Sequence, residues 1–207
     1  MSAQLEPAKG GLRWVKSRSN PGLGTPPVVE RVVATANGTG LFAGDLLKTG
    51  TDGCLLPAAA GETSSHVMVA AVRYRGSDGY MRSGAFVPAS TTYTGTASLA
   101  NPLATVVLAI PVNNQIFETD IPTAAATQTA ATALIGQCVD IVANAGSTVT
   151  GISGYTADTV ANFQATTASA QLRLLEVPEY GMSGSINDVT KTYWKGWFDV
   201  NEQLETV

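Results

Sequence analysis

Short apolar runs separated by turn-forming residues recur along this chain, and they limit the folds open to it more than any other feature. Residues 67–74 alternate between two largely apolar faces, residues 105–110 are almost continuously apolar, and residues 193–200 are rich in aromatic side chains. β-Branched and aromatic residues of this kind fit the pleated surface of a sheet. Asn37-Gly38 and Asp52-Gly53 supply turn signals between such runs. The sequence therefore predicts an all-β fold, a barrel or sandwich of about nine to eleven short strands.

The composition agrees with this fold class. Charged residues make up 14% of the chain, against about 25% in typical soluble domains. Long amphipathic helices need Glu, Lys, Arg and Leu on their faces, and these residues are scarce here. Residues 122–134 are rich in Ala and predict one short helix. Neither a βαβ rhythm nor a repeat of 20–50 residues is visible.

The first 27 residues predict an extended N-terminal arm, because Pro and Gly interrupt every element that could form there. Apolar Leu12 and Trp14 alternate in this segment with basic Arg13, Lys16 and Arg18. Two interpretations stay open: the arm extends over a neighbouring subunit, or it folds back on its own domain. Residues 28–207 then form the β-rich domain, and a division into two sub-lobes near residues 88–104 is left open.

Catalytic chemistry has little support in the sequence. His66 is the single histidine, and its neighbour Ser65 does not make a triad, because triad geometry comes from the fold rather than from adjacency. Glycosidase chemistry needs only two carboxylates, which spacing does not exclude. Cys54 and Cys138 have no partners at metal-ligand spacing and are expected to be buried thiols. We expect a non-enzymatic protein with no catalytic residues, no metal and no cofactor.

Two carboxylates form the closest acidic set. Glu118 and Asp120 would face the same side of a strand, as in a Ca²⁺ site or a carboxylate pair. A solvated strand end is the favoured interpretation. The formal net charge of −4 and the pI near 4.9 argue against nucleic-acid binding, which needs a net basic footprint. A secretory signal and an apolar run of about 18 residues are both missing, so we expect a cytoplasm-like setting without membrane contact.

Exposed basic and aromatic residues are the candidates for an interface. Three arginines, Arg73, Arg75 and Arg82, lie on the two arms of one predicted hairpin. They form either a docking patch for an acidic partner or a solvated face. The solvated face is the favoured interpretation, because exposed charge pairs contribute little to stability. In the last strand, Tyr193 and Trp197 share the face opposite to Trp194, and aromatic residues are enriched at protein interfaces. The interface candidates are Leu12, Arg13, Trp14, Lys16, Arg18, Arg73, Arg75, Arg82, Tyr193 and Trp197.

Three stretches carry a resemblance to a known family. The first is residues 44–48 with the following Asp52-Gly53. The second begins at residues 115–118 and continues through a Thr/Ala stretch and Gly136-Gln137 to residues 150–155. The third is residues 172–177 followed by a loop and the aromatic final strand. Together they span most of residues 40–203. In these stretches the chain resembles the capsid decoration, or cement, proteins of tailed bacteriophages, especially marine and cyanobacterial phages.

The resemblance implies β-rich subunits, often trimers, that sit on the outer capsid lattice and bridge capsomers. The expected partners are the major capsid protein and further copies of the chain in a homotrimer. The expected location is the capsid exterior, after synthesis in the host cytoplasm. Two alternatives remain: another virion component such as a tail, baseplate or fibre protein, and a carbohydrate-binding β domain that uses Tyr193, Trp194 or Trp197.

Overall fold

The structure is a computed structural model. It describes residues 10–19, 24–33, 40–51, 53–62, 67–75, 78–87, 105–165, 170–182 and 184–200. His66, the predicted division near residues 88–104, and residues 1–9 and 20–23 of the predicted arm lie outside these ranges.

Fifteen strands are present in the described residues. In chain order they are β1 (Arg13–Ser17), β2 (Val29–Val32), β3 (Leu41–Phe42), β4 (Leu46–Thr49), β5 (Leu55–Pro57), β6 (Val67–Arg75), β7 (Met81–Gly84), β8 (Phe86–Val87), β9 (Val106–Pro111), β10 (Gln115–Ile121), β11 (Cys138–Val139), β12 (Ile141–Val142), β13 (Thr156–Ala157), β14 (Leu172–Glu176) and β15 (Trp194–Val200).

The strands form two main antiparallel sheets, which confirms the all-β prediction. The five-stranded sheet has the order β1-β10-β15-β14-β11, and the six-stranded sheet has the order β2-β9-β6-β4-β5 with β7 paired to β6. Two small sheets pair β12 with β13 and β3 with β8. The number of strands exceeds the expected nine to eleven, partly because single predicted runs divide. Residues 137–143 give both β11 and β12, and residues 80–87 give both β7 and β8.

The helical content is small. One helix, α1 (Gln128–Thr132), lies within the predicted range, and Thr127 caps it by accepting a hydrogen bond from the Ala130 amide. Val160–Asn162 form a single 3₁₀ turn. Within the described part of the chain, no helix has the length and apolar character needed to cross a bilayer.

Two apolar clusters form the core. One lies between the two main sheets and includes Phe117 and Phe198 of the five-stranded sheet together with Met68 and Ile110 of the six-stranded sheet. The other cluster draws only on residues between Val33 and Ala109. Strand β6 contributes to both clusters, because its first three residues are buried on both faces. This confirms that residues 67–74 form a central strand.

Residues 10–19 belong to the domain, so the predicted extended arm is wrong for this segment. Strand β1 pairs antiparallel with β10 and forms an edge of the five-stranded sheet. Leu12 is buried in the core between the sheets. Of the two interpretations left open, folding back on the same domain applies here. Burial of Leu12 and pairing of β1 with β10, which a bulge interrupts between Trp14 and Lys16, offset part of the entropy lost when the segment becomes ordered.

The start of β1 is fixed by a close backbone junction. The Leu12 amide donates to the Gly44 carbonyl at 3.0 Å, and the Gly11 amide donates to the Tyr155 carbonyl at 2.7 Å. Gly44 adopts φ +96°, and a Cβ there would lie 2.9 Å from the Gly11 Cα. Only glycine fits a position with both a positive φ and this approach. We call the meeting of residues 10–12, 42–45 and 153–155 the glycine junction.

A buried carboxylate lies in the glycine junction. Asp45 is 3% exposed, and its Oδ2 accepts the Phe42 amide at 2.8 Å. Burial raises the pKa of Asp45 to about 6, although hydrogen bonds from the Ser153 hydroxyl and the Phe42 amide act in the opposite direction. At neutral pH the junction therefore holds a desolvated negative charge.

Gly44→Ala is expected to destabilise the domain far more than Gly53→Ala. Both glycines have positive φ, but a Cβ on Gly53 meets nothing within 4 Å. The control substitution therefore carries only the conformational penalty of about 1–2 kcal/mol, whereas the Gly44 variant adds a backbone overlap and should lose more than about 3 kcal/mol. Urea unfolding of both variants measures the difference. Equal losses of unfolding free energy in the two variants would mean that the Gly11 backbone leaves room for a side chain at Gly44.

Asp45→Asn is expected to change how stability depends on pH. The pKa of Asp45 is higher in the folded protein than its ordinary value of 3.8, so its contribution is fully present below about pH 3.8 and is lost as the pH rises through about 6. When the pH rises from 4 to 8, the free energy of unfolding of the wild-type protein should fall by about 3 kcal/mol relative to that of the Asn variant. Parallel urea unfolding at both pH values tests this, and a constant difference between the two proteins would contradict it.

Candidate functional site

The outer face of the five-stranded sheet brings together charged and aromatic residues from distant parts of the chain. In the register of the sheet, Arg13 of β1 lies opposite Glu118 of β10, and Glu118 lies opposite Trp197 of β15. Directly opposed residues project from the same face. One row therefore crosses three strands in the order cation, carboxylate, indole.

Glu118 and Asp120 are buried beneath this face, with 1% and 3% of their surface exposed. The interpretation as a solvated strand end is therefore wrong. The Glu118 Oε2 accepts the Met182 amide at 2.8 Å and the Trp197 indole N–H at 3.3 Å. The loop that contains Met182 lies against the carboxylate, and this contact explains the burial. Alternation along β10 correctly places both acids on one side, but the covering loop comes from residues 60 positions later.

Asp120 belongs to a buried ion pair. Its Oδ1 accepts the Lys195 ammonium at 2.5 Å, and its Oδ2 accepts the Gly10 amide at 2.8 Å. Both charged side chains are about 5% exposed. A buried charge is tolerated only when it is paired and hydrogen-bonded. Because Asp120 is bonded to both Gly10 and Lys195, it holds the residues before β1 close to β15. The sequence does not predict the pair, because Lys195 lies 75 residues beyond Asp120.

Trp197 lies at the centre of the exposed part of this face. The Lys16 ammonium is 4.7 Å from the centroid of its ring, within cation–π distance. Arg18 forms an ion pair with Asp199, whose register partner on β14 is Arg173. We define the Trp197 patch as this set of partly or fully exposed residues: Arg13, Lys16, Arg18, Arg173 and Trp197.

At the Trp197 patch the positive side chains are more exposed than the carboxylates. The Arg18 side chain is 41% exposed, whereas that of its partner Asp199 is 5% exposed. Glu118 and Asp120 are also buried, so the acids lie beneath and the cations face outward. Glu176, at the border of the patch on β14, is the exposed acid here. Cations and one tryptophan are therefore the groups that this face mainly exposes, above carboxylates that neutralise part of their charge.

This arrangement suits recognition of another protein. Arg and Trp are enriched among the residues that contribute most to protein interfaces, whereas Lys is depleted there. Arginine binds carboxylates through two parallel hydrogen bonds. Buried Asp199 holds Arg18 through an ion pair, and a position fixed before binding reduces the entropy lost on binding. An acidic surface is the complementary partner.

Some of the predicted interface residues lie elsewhere. Leu12 is part of the core and is therefore wrong as an interface candidate. Trp14 packs partly buried against the same core, and its indole N–H donates to the Gln115 side chain at 2.7 Å. Tyr193 is partly buried and adopts φ +66° in the turn before β15. The tryptophan on the outer face is Trp197 of β15, with Lys16 of β1 over its ring.

The three arginines of the β6–β7 hairpin are not brought together. Arg82 pairs with Tyr74 in the register, so it lies on the face opposite to Arg73 and Arg75. Arg73 is 3.9 Å from Glu30, Arg82 is 2.5 Å from Asp78, and the Arg75 guanidinium donates to the Gly79 carbonyl. These exposed local pairs fit the favoured interpretation of a solvated face.

The remaining sequence candidates carry no site in the described residues. Cys54 and Cys138 are buried thiols that form no disulfide, and their burial was expected. Across the described ranges, no group of three or more His, Cys, Asp and Glu side chains could hold a metal ion.

Lys195→Met is expected to destabilise the protein by about 3–5 kcal/mol, because it leaves the Asp120 charge buried without its cation. Adding Asp120→Asn to this variant should recover part of the loss, since the double variant has no buried charge at this position. Urea unfolding of the two single variants and the double variant gives the coupling energy. Additive losses would show that the two side chains do not stabilise each other.

No protein-family model, curated protein or solved structure matches this chain. The Trp197 patch is therefore interpreted from its own residues, their burial and their charge.

Proposed function

We propose that this chain is a non-enzymatic structural protein of a tailed-bacteriophage virion. It binds the outer surface of the assembled capsid and stabilises the shell by bridging capsomers. Its partners are the major capsid protein and, in a homotrimer, further copies of itself. The resemblance of residues 40–203 to capsid decoration proteins supports this role. The observation that carries the proposal is the Trp197 patch, a face that mainly exposes cations and one tryptophan.

The patch supports docking on a protein more than binding of a sugar. A sugar stacks on an aromatic ring through an open face, and the Lys16 ammonium lies over the Trp197 ring at 4.7 Å. The indole N–H is already donated to Glu118. Exposed cations beside a tryptophan instead complement an acidic protein surface, where they also accelerate association.

The first test is the copy number of the chain in purified particles of the phage whose genome encodes it. Quantitative mass spectrometry should give a fixed, simple ratio to the major capsid protein, near one or a simple fraction. A few copies per particle would instead indicate a tail, baseplate or vertex component. Complete absence from the particles would overturn the virion role and favour the carbohydrate-binding alternative.

The second part of the test is addition of the purified chain to particles that lack it. Lys16→Glu should weaken binding about tenfold, because it opposes an acidic partner. Arg82→Glu is the matched control, since it reverses an exposed cation on the other sheet. Raising the salt concentration should weaken binding of the wild-type protein to the particles more than binding of the Lys16→Glu variant. If the wild-type protein, Lys16→Glu and Arg82→Glu all bind equally, the Trp197 patch is not part of the interface.

A further inference from the structure

A second surface adjoins the Trp197 patch and consists of apolar side chains. Tyr180, Met182 and Ile186 are 53%, 50% and 74% exposed. Tyr180 and Ile186 form an antiparallel bridge, so the chain turns back on itself between them. Residues 180–187 contain no charged side chain. Single exposed apolar residues are ordinary, but three on one short turn form a patch that is typical of an interaction site.

The apolar turn is held rigidly. The Gly181 amide donates to the Ser185 carbonyl and the Asn187 amide donates to the Glu179 carbonyl. The Asn187 side chain also binds the backbone of Lys195 on both sides, donating to its carbonyl and accepting its amide at 2.8 and 2.7 Å. These bonds tie both ends of the turn to each other and to the central β15 strand. Binding then costs little ordering entropy.

The turn and the Trp197 patch share one anchor. The Glu118 Oε2 accepts both the Met182 amide and the Trp197 indole N–H. Met182 and Trp197 therefore contact the same buried oxygen, and Arg13 lies opposite Glu118 on β1. The backbone of Met182 therefore lies next to the Trp197 patch, and its exposed side chain is within the area that a partner of protein size covers.

We propose that the Tyr180–Ile186 turn is an apolar docking element that inserts into an apolar recess, bordered by acidic residues, on the partner that covers the Trp197 patch. The uncharged turn requires the apolar recess, and the neighbouring cations require the acidic border. This inference rests on the proposed function, because the partner is taken to be the capsid surface. It adds a second contact of different chemistry beside the charged one.

The experiment is addition of variant proteins to phage particles that lack the chain. Met182→Ser combined with Ile186→Ser removes most of the exposed apolar surface of the turn and should weaken binding at least tenfold. Val149→Ser is the matched control: Val149 is 93% exposed and lies in the turn next to Gly151, which packs against Ala85. Both variants should keep the melting temperature and the oligomeric mass of the wild-type protein, because the altered side chains are exposed.

The possible outcomes separate this inference from the proposed function. If the turn variant binds as well as the Val149 control while Lys16→Glu still weakens binding, the docking element is refuted and the capsid role stands. A turn variant with reduced oligomeric mass would place the turn against a second copy of the chain and would also refute the inference. If the wild-type protein fails to bind the particles, the proposed function and the inference fall together.

Discussion

The close approach of backbones at Gly44 is the constraint on which the rest of this structure depends. Gly44 allows residues 10–12 to cross the β3–β4 turn at a distance that a side chain would prevent. Leu12 then enters the core, and its neighbours continue directly into β1 at the edge of the five-stranded sheet. Without this crossing, the cations of β1 would have no fixed position beside Trp197.

The buried carboxylates turn this geometry into a surface of defined charge. Glu118 and Asp120 on β10 and Asp199 on β15 lie beneath the outer face, and each is bonded to a group from another segment. Burying an acid is unfavourable unless it is compensated, so these contacts hold β1, β15 and the 179–187 turn in one arrangement. The same contacts leave cations and an indole as the groups that face outward, next to the apolar side chains of the turn.

This combination differs from a catalytic site in its physical requirements. Catalysis concentrates reactive groups in a recess, whereas the Trp197 patch spreads cations and one indole over a sheet face, beside the exposed apolar side chains of the 179–187 turn. Such a surface gains affinity from the area it covers and specificity from charge complementarity. A partner with a large, regular acidic surface is well suited to it, and this is the physical basis for proposing attachment to an assembled shell.

Elements that depend on local patterns could be predicted from the amino-acid sequence. Alternation and β-branched runs predicted the all-β class, the central position of β6 and the outward face of Trp197, since these follow from the two-residue period of a strand. The core position of Leu12, the burial of Glu118 and Asp120, and the place of the 179–187 turn beside Trp197 became visible only in the folded chain. These features depend on contacts between segments 60 to 110 residues apart. Pairing at such separations is set by packing and compensation of buried charge, which no local pattern encodes.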